Sequence, residues 1–210
     1  MQFVFLAILI GALAAGVVVL ASMGWLQRRR RIRLARVAYG MELRFSARDP
    51  FELTRRYSSF VLPSAGHSPR AENVIYGRHK GWHLRAFDYR FEAGHGPRRL
   101  VRRYSVIVAD TDLPLPPVLM WSVADTDHLP LAVRNPLEQL GGWLVISGEQ
   151  SAALLAEAFA EFQKEPVDLQ VDGGSVMLSS ADPWKPADLA ARMDQAAAGL
   201  ELLRARCGQG

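Results

Sequence analysis

A chain of 210 residues, half of them hydrophobic and 22% charged, is long enough to bury one substantial core. Its single cysteine, Cys207, excludes an intrachain disulfide and a cysteine-rich metal site. The formal net charge of +4 hides an asymmetry: residues 27–48 hold eight arginines against one glutamate, whereas residues 111–210 hold six basic against fourteen acidic side chains, which argues against nucleic acid as a partner.

The first 27 residues carry no charged side chain. At ~1.5 Å per residue, residues 3–26 make a helix roughly 36 Å long, against a bilayer core of about 30 Å. A cleaved secretory signal would carry its positive charge before a shorter apolar run and small residues after it. Here the charge follows the run, and the one Ala-x-Ala pattern (Ala12, Ala14) lies inside it. Residues 1–27 therefore read as an uncleaved transmembrane anchor, with the lipid bilayer as partner of residues 3–26. Arg28, Arg29, Arg30, Arg31, Arg33 and Arg36 come next with no acidic residue among them. Cytoplasmic flanks hold the Lys/Arg excess, so the N-terminus is expected outside and the remainder in the cytoplasm. Trp25 and those six arginines are the expected membrane-surface contacts, the arginines attracting anionic headgroups at ~1 kcal/mol each.

Residues 28–48 read as a stiff, basic juxtamembrane stalk, and residues 49–207 as one cytoplasmic domain. Asp49-Pro50 predicts a helix start, with a helix to about Phe60. Residues 62–70, rich in Pro, Gly and Ser, predict a loop. Strands are expected at 73–79, 82–92 and 100–110, with Lys80-Gly81 as a tight turn and residues 93–97 as a looser one. Pro114, Pro116 and Pro117 precede a short strand at 118–123, and residues 124–136 look irregular. Residues 143–146 read as a buried strand. Ser147 and Gln150 predict a capping box opening a helix over 149–164. Residues 167–171 and 176–179 flank Asp172-Gly173-Gly174, a hairpin signal. A final helix after Pro186 shows Leu189, Met193, Ala196, Ala197, Leu200 and Leu203 on one stripe, ended by Gly208. Short turns between strands imply antiparallel pairing. The expected class is α+β: a single transmembrane helix, then antiparallel β-hairpins, then a β-α-β-β-α C-terminal half.

Catalytic signatures are sparse. The sequence shows no Gly-x-Ser-x-Gly elbow, phosphate-binding P-loop, His-Glu-x-x-His or dinucleotide fingerprint, and no catalytic residue, cofactor or metal is assigned from it. His79, His83 and His95 lie in or beside the first strands, but nothing in their spacing makes three imidazoles converge on one ion. Asp88, between Phe87 and Tyr89, is a candidate buried acid or base, but the favoured reading is structural: alternation sends it to the face away from both aromatics, where Arg90, Arg102 or Arg103 can pair with it. Arg98, Arg99, Arg102 and Arg103, after Gly94 and Gly96, form a candidate phosphate or headgroup site. The same residues also describe a charged, aggregation-resistant sheet edge.

Tyr76-Gly77, Gly81 and Phe87-Asp88-Tyr89 form the pattern Tyr-Gly-x3-Gly-x5-Phe-Asp-Tyr, followed by a charged loop, a Tyr-Ser-Val-Ile-Val strand and Leu115-Pro116-Pro117. Over about residues 72–180 this resembles a family of bacterial membrane-tethered proteins without assigned activity. The resemblance implies the hairpin architecture and a bacterial origin, which together with the arginine flank places the anchor in the inner membrane, and it supplies no catalytic residues. The combined expectation is a membrane-anchored cytoplasmic domain that binds an unidentified protein partner or organises a membrane assembly. An anionic-headgroup or phosphate-binding module at the inner membrane surface is the alternative, and an enzyme of unknown class the third.

Overall fold

The computed structural model describes residues 2–94, 96, 99–128 and 138–207. It is an α+β fold built on one large antiparallel sheet, with one N-terminal apolar helix. That helix, α1 (Gln2–Gly40), runs 39 residues without interruption. From Leu9 on, its most apolar 18-residue stretch has a mean hydropathy of 2.1 and is not buried in the protein; by length and composition the helix is able to cross a membrane.

The second half of α1, expected as a stiff stalk, packs one face into the domain. Leu34 and Ala38, four residues apart and so on one face, are buried in the core, as is Leu43 beyond the helix end. The chain leaves α1 through Glu42 in the left-handed region, with the Leu43 N–H donating back to the Ala38 carbonyl at 2.8 Å. It then enters strand β1 (Arg44–Arg48), which the sequence did not betray and which pairs with β2.

The remaining strands are β2 (His67–His79), β3 (Trp82–Ala93), β4 (Leu100–Asp110), β5 (Val118–Ser122), β6 (Glu138–Leu140), β7 (Trp143–Ser147), β8 (Val167–Asp172) and β9 (Ser175–Ser180). They form one nine-stranded sheet in the order β1-β2-β3-β4-β9-β8-β5-β7-β6. Strand β2 begins inside the stretch expected to be a loop, because backbone pairing with Arg90 and Glu92 of β3 overrides the Pro/Gly/Ser composition. The β8–β9 turn is Gly173-Gly174 at φ 54° and 75°, left-handed at both positions, where glycine carries no steric penalty.

The helices fall differently from the periodicity in two places. The Asp49 carboxylate accepts from the Phe51 and Leu53 N–H groups, but left-handed Glu52 intervenes, so only one turn, α2 (Leu53–Arg56), follows; a second, α3 (Val61–Ser64), stands in the expected loop. Helix α4 (Glu149–Ala158) is capped by Gly148 at φ 80° with no side-chain cap bond, so the capping box does not form; a 3-10 turn (Ala160–Lys164) replaces its last part. Helix α5 (Leu189–Cys207) buries the whole expected stripe. It crosses α4 so closely that a Cβ on Gly199 would lie 2.6 Å from the Phe159 ring.

The sheet has two covered faces. On one, the end of α1 with α4 and α5 encloses Ile75, Leu84, Ala86, Ile107, Trp143 and Leu178. On the other, α2 and α3 cover Val74, Phe87, Tyr89, Phe91, Tyr104 and Val106. Alternation along β3 decides the split: Phe87, Tyr89 and Phe91 go to one side, Ala86, Asp88 and Arg90 to the other.

Candidate functional site

The apolar and docked halves of α1 meet at Arg30 and Arg31. The Arg30 Nε and Nη2 donate to the two oxygens of Asp88 at 2.9 and 2.6 Å, a bidentate clasp, and its Nη1 donates to the Trp184 carbonyl at 3.0 Å. Arg31 Nη2 lies 3.5 Å from one Glu72 oxygen, and Arg90 Nη2 lies 3.1 Å from the other. Strand register places Asp88 beside Ser105 and Arg90 beside Arg103 on β4. The Trp184 N–H donates to Ser105 Oγ at 3.0 Å, and Pro183 beside it lines the cleft.

Asn73 completes the arrangement. It sits in a bulge of β2, where the register with β3 shifts between Glu72 and Ile75, and its backbone takes φ 55°. Its Nδ2 donates to Asp88 Oδ2 at 2.8 Å. A non-glycine residue held left-handed in a bulge is costly, by roughly 1 kcal/mol or more, and re-aims a side chain. Here the side chain is turned onto the clasp. Around these groups lies a cleft of about 180 Å³ lined by Gln27, Arg30, Arg31, Glu72, Asn73, Asp88, Arg90, Arg103 and Pro183, among others.

Two other polar clusters serve the fold. On the α2 face, Asp110 accepts from Tyr57 Oη at 2.9 Å, Arg85 at 2.5 Å and Arg56 at 3.1 Å. Burial pushes the Asp110 carboxyl up, but the hydrogen bonds from Arg85 and Tyr57 outweigh it and hold it below its ordinary value. Burial also carries the Tyr57 hydroxyl up to about 12, against the opposing charge of Arg85. Between β5 and β8, Asp168 is buried and accepts from the Ser122 N–H at 2.9 Å. Burial raises its pKa well above the usual carboxylate range, opposed by that bond and reinforced by the charge of Asp125.

The described hairpin arginines do not share one face. Arg99 pairs with Glu92 at 2.9 Å. Arg102 lies opposite Phe91 in the β3–β4 register and Arg103 opposite Arg90, so alternation sends them to opposite faces; only Arg103 lines the cleft. Arg98 lies outside the described residues. Of the α1 arginines, Arg28, Arg29, Arg33 and Arg36 are exposed, and Arg29 stacks on Trp25 at 3.7 Å from the ring centre. Arg30 and Arg31 turn to the domain instead of outward. His79 bonds Asp194 at 2.8 Å, His83 is exposed, and His95 lies outside the described residues. Among the described residues no group of three or more His, Cys, Asp or Glu side chains is placed to hold a metal ion.

Asp88 thus takes its cation from α1, fifty-eight residues away, and not from a neighbouring strand. The legible signal was the spacing Arg30-Leu34-Ala38, one face of a helix with a buried stripe and a charge at its end.

No family model matches this chain, and no curated protein matches it in sequence. In fold it is similar to the crystal structure of the mycobacterial trehalose monomycolate transport factor A, TtfA, at a TM-score of 0.51 and 14% identity, over 85% of this chain and 90% of that one.

Proposed function

We propose that this chain is a membrane-anchored, non-catalytic platform that presents its α+β domain to a protein partner at the cytoplasmic face of a bacterial inner membrane. The observation carrying the proposal is the continuity of α1. One unbroken helix is apolar and unburied in its first half and buried against the sheet in its second. A flexible tether would let the domain tumble. A helix clasped at Arg30 and buried at Leu34 and Ala38 instead fixes which surface faces the bilayer and which faces away. That is what an assembly element needs, and an enzyme acting on a soluble substrate gains nothing from it. TtfA, a transport factor by name, shares this fold and favours an accessory role in a membrane transport assembly. The arginine excess after residue 27 supports the cytoplasmic placement.

The test is crosslinking and pull-down of the full chain from native membranes, beside a variant with three glycines inserted after Gln27 to break the helix between its halves. The expected result is a reproducible partner that the wild type captures and the insertion variant loses while still sedimenting with membranes. Equal capture by both would refute the rigid-platform reading. Orientation is read separately at Cys207: a membrane-impermeant maleimide should label it only after the inner membrane is opened.

A further inference from the structure

We propose that the cleft beside the base of α1 binds a hydroxyl-bearing phosphate, presented by an anionic lipid headgroup of the phosphoglycerol type. Only the source of the phosphate rests on the membrane anchoring proposed above; the site itself rests on its own geometry.

Position comes first. From Leu34 to Leu43 the chain packs along the sheet, with Arg30 at Asp88, Leu34 near Ala86 and Leu43 against Gly77, which is opposite Leu84. The course of α1 from its apolar half therefore follows β3 from Asp88 back towards Leu84. Read in reverse, the cleft at Asp88, Arg90 and Arg103 opens at the end of the sheet from which the apolar half emerges. Leu100 and Val101, on β4 beyond Arg103, are more than half exposed at that same end.

Charge and bonding capacity come next. Four guanidinium groups (Arg30, Arg31, Arg90, Arg103) line the cleft against two carboxylates (Glu72, Asp88), a surplus of two positive charges in one concavity. Planar N–H forks match the several acceptor oxygens of a phosphate better than a point charge does. The lining residues also hold unused capacity: among the described residues, Arg31 Nε and Arg90 Nε find no acceptor and Asn73 Oδ1 no donor, although all three atoms are buried. Two spare donors suit an anion. A spare acceptor does not, and calls for a donor on the same ligand, which a glycerol or sugar hydroxyl supplies. Asn73 is 9% exposed and holds its left-handed backbone to bring that amide here. Size limits the ligand: about 180 Å³ is below the roughly 300–1,000 Å³ of drug-sized sites, enough for a headgroup whose acyl chains stay in lipid.

The experiment uses the full chain in micelles and reads bound lipid by native mass spectrometry as dioleoyl phosphatidylglycerol or dioleoyl phosphatidylcholine is titrated. Three variants accompany it: Arg90→Gln/Arg103→Gln; Arg103→Gln alone, an exposed change that leaves the packing intact; and Arg55→Gln/Arg78→Gln, which removes the same charge on α2 and near the β2–β3 turn. The wild type and the Arg55/Arg78 variant should retain phosphatidylglycerol over phosphatidylcholine. The Arg90/Arg103 variant should bind it about tenfold more weakly, and Arg103→Gln should lie between. Equal retention by wild type and the cleft variants, or equal loss in the Arg55/Arg78 control, overturns the site. If glycerol 3-phosphate or inorganic phosphate displaces the lipid at equal concentration, the lipid assignment fails and a soluble phosphate takes its place. Carbonate extraction of the cell membranes that hold the full chain reports on anchoring alone, so the two proposals fail separately.

Discussion

Replacing Asp88 by alanine should loosen the whole joint between α1 and the sheet. The carboxylate accepts three hydrogen bonds, from Arg30 Nε at 2.9 Å, Arg30 Nη2 at 2.6 Å and Asn73 Nδ2 at 2.8 Å. A hydrogen bond to a charged group contributes roughly 1.5–3 kcal/mol. The Arg30 and Asp88 side chains keep 28% and 26% of their exposure, so water replaces part of each bond and about 1 kcal/mol of each remains. The three together come to about 3 kcal/mol, which for a chain of this size lowers the melting temperature by about 6–12 °C. Because the single variant also strands the Arg30 guanidinium, the decisive measurement is a double-mutant cycle with Arg30→Ala, in micelles, by thermal unfolding. A coupling energy of about 1–2 kcal/mol is expected. Strict additivity, within about 0.3 kcal/mol, would show that the two side chains do not hold the helix to the domain.

Two further outcomes follow from buried groups elsewhere. The raised pKa of Asp168 means that the folded state binds its proton more tightly than the unfolded chain does. Its contribution is therefore complete below the ordinary carboxylate value and is lost as pH rises through the folded value. Asp168→Asn keeps an acceptor for the Ser122 N–H without the charge, so urea midpoints should show the variant gaining on the wild type as pH rises above the ordinary carboxylate range; parallel profiles would contradict this. Gly199→Ala places a methyl group 2.6 Å from the Phe159 ring and 2.8 Å from the Ala158 carbonyl. Overpacking of about 1–3 kcal/mol outweighs the gain in helix propensity of at most about 1 kcal/mol, and the melting temperature should fall. A rise would mean that α4 and α5 can separate freely.

The tertiary structure reassigned residues that local patterns had placed correctly as types but not as partners. Arg30 and Arg31 belong to a run whose composition alone speaks of a membrane surface, yet the sheet turns them inward to Asp88 and Glu72. The four hairpin arginines are adjacent in sequence, but the two-residue period of β4 divides Arg102 from Arg103. Ser147 and Gln150 have the spacing of a capping box, and Gly148 displaces it because a Cβ there would lie 2.5 Å from the Pro117 carbonyl.

What the sequence determined by itself are the properties set by short-range physics. An apolar run long enough for a bilayer, strands dense in β-formers, a Gly-Gly turn and an apolar stripe at helical spacing each depend on neighbours within a few residues. Strands β1 and β6, by contrast, exist only because β2 and β7 offer their edges. The cleft exists only because residue 30 meets residues 73, 88 and 184, and no local pattern encodes a meeting across that much chain. Electrostatic pairing of that kind is decided by where folding brings the charges, once burial has made leaving them unpaired too costly.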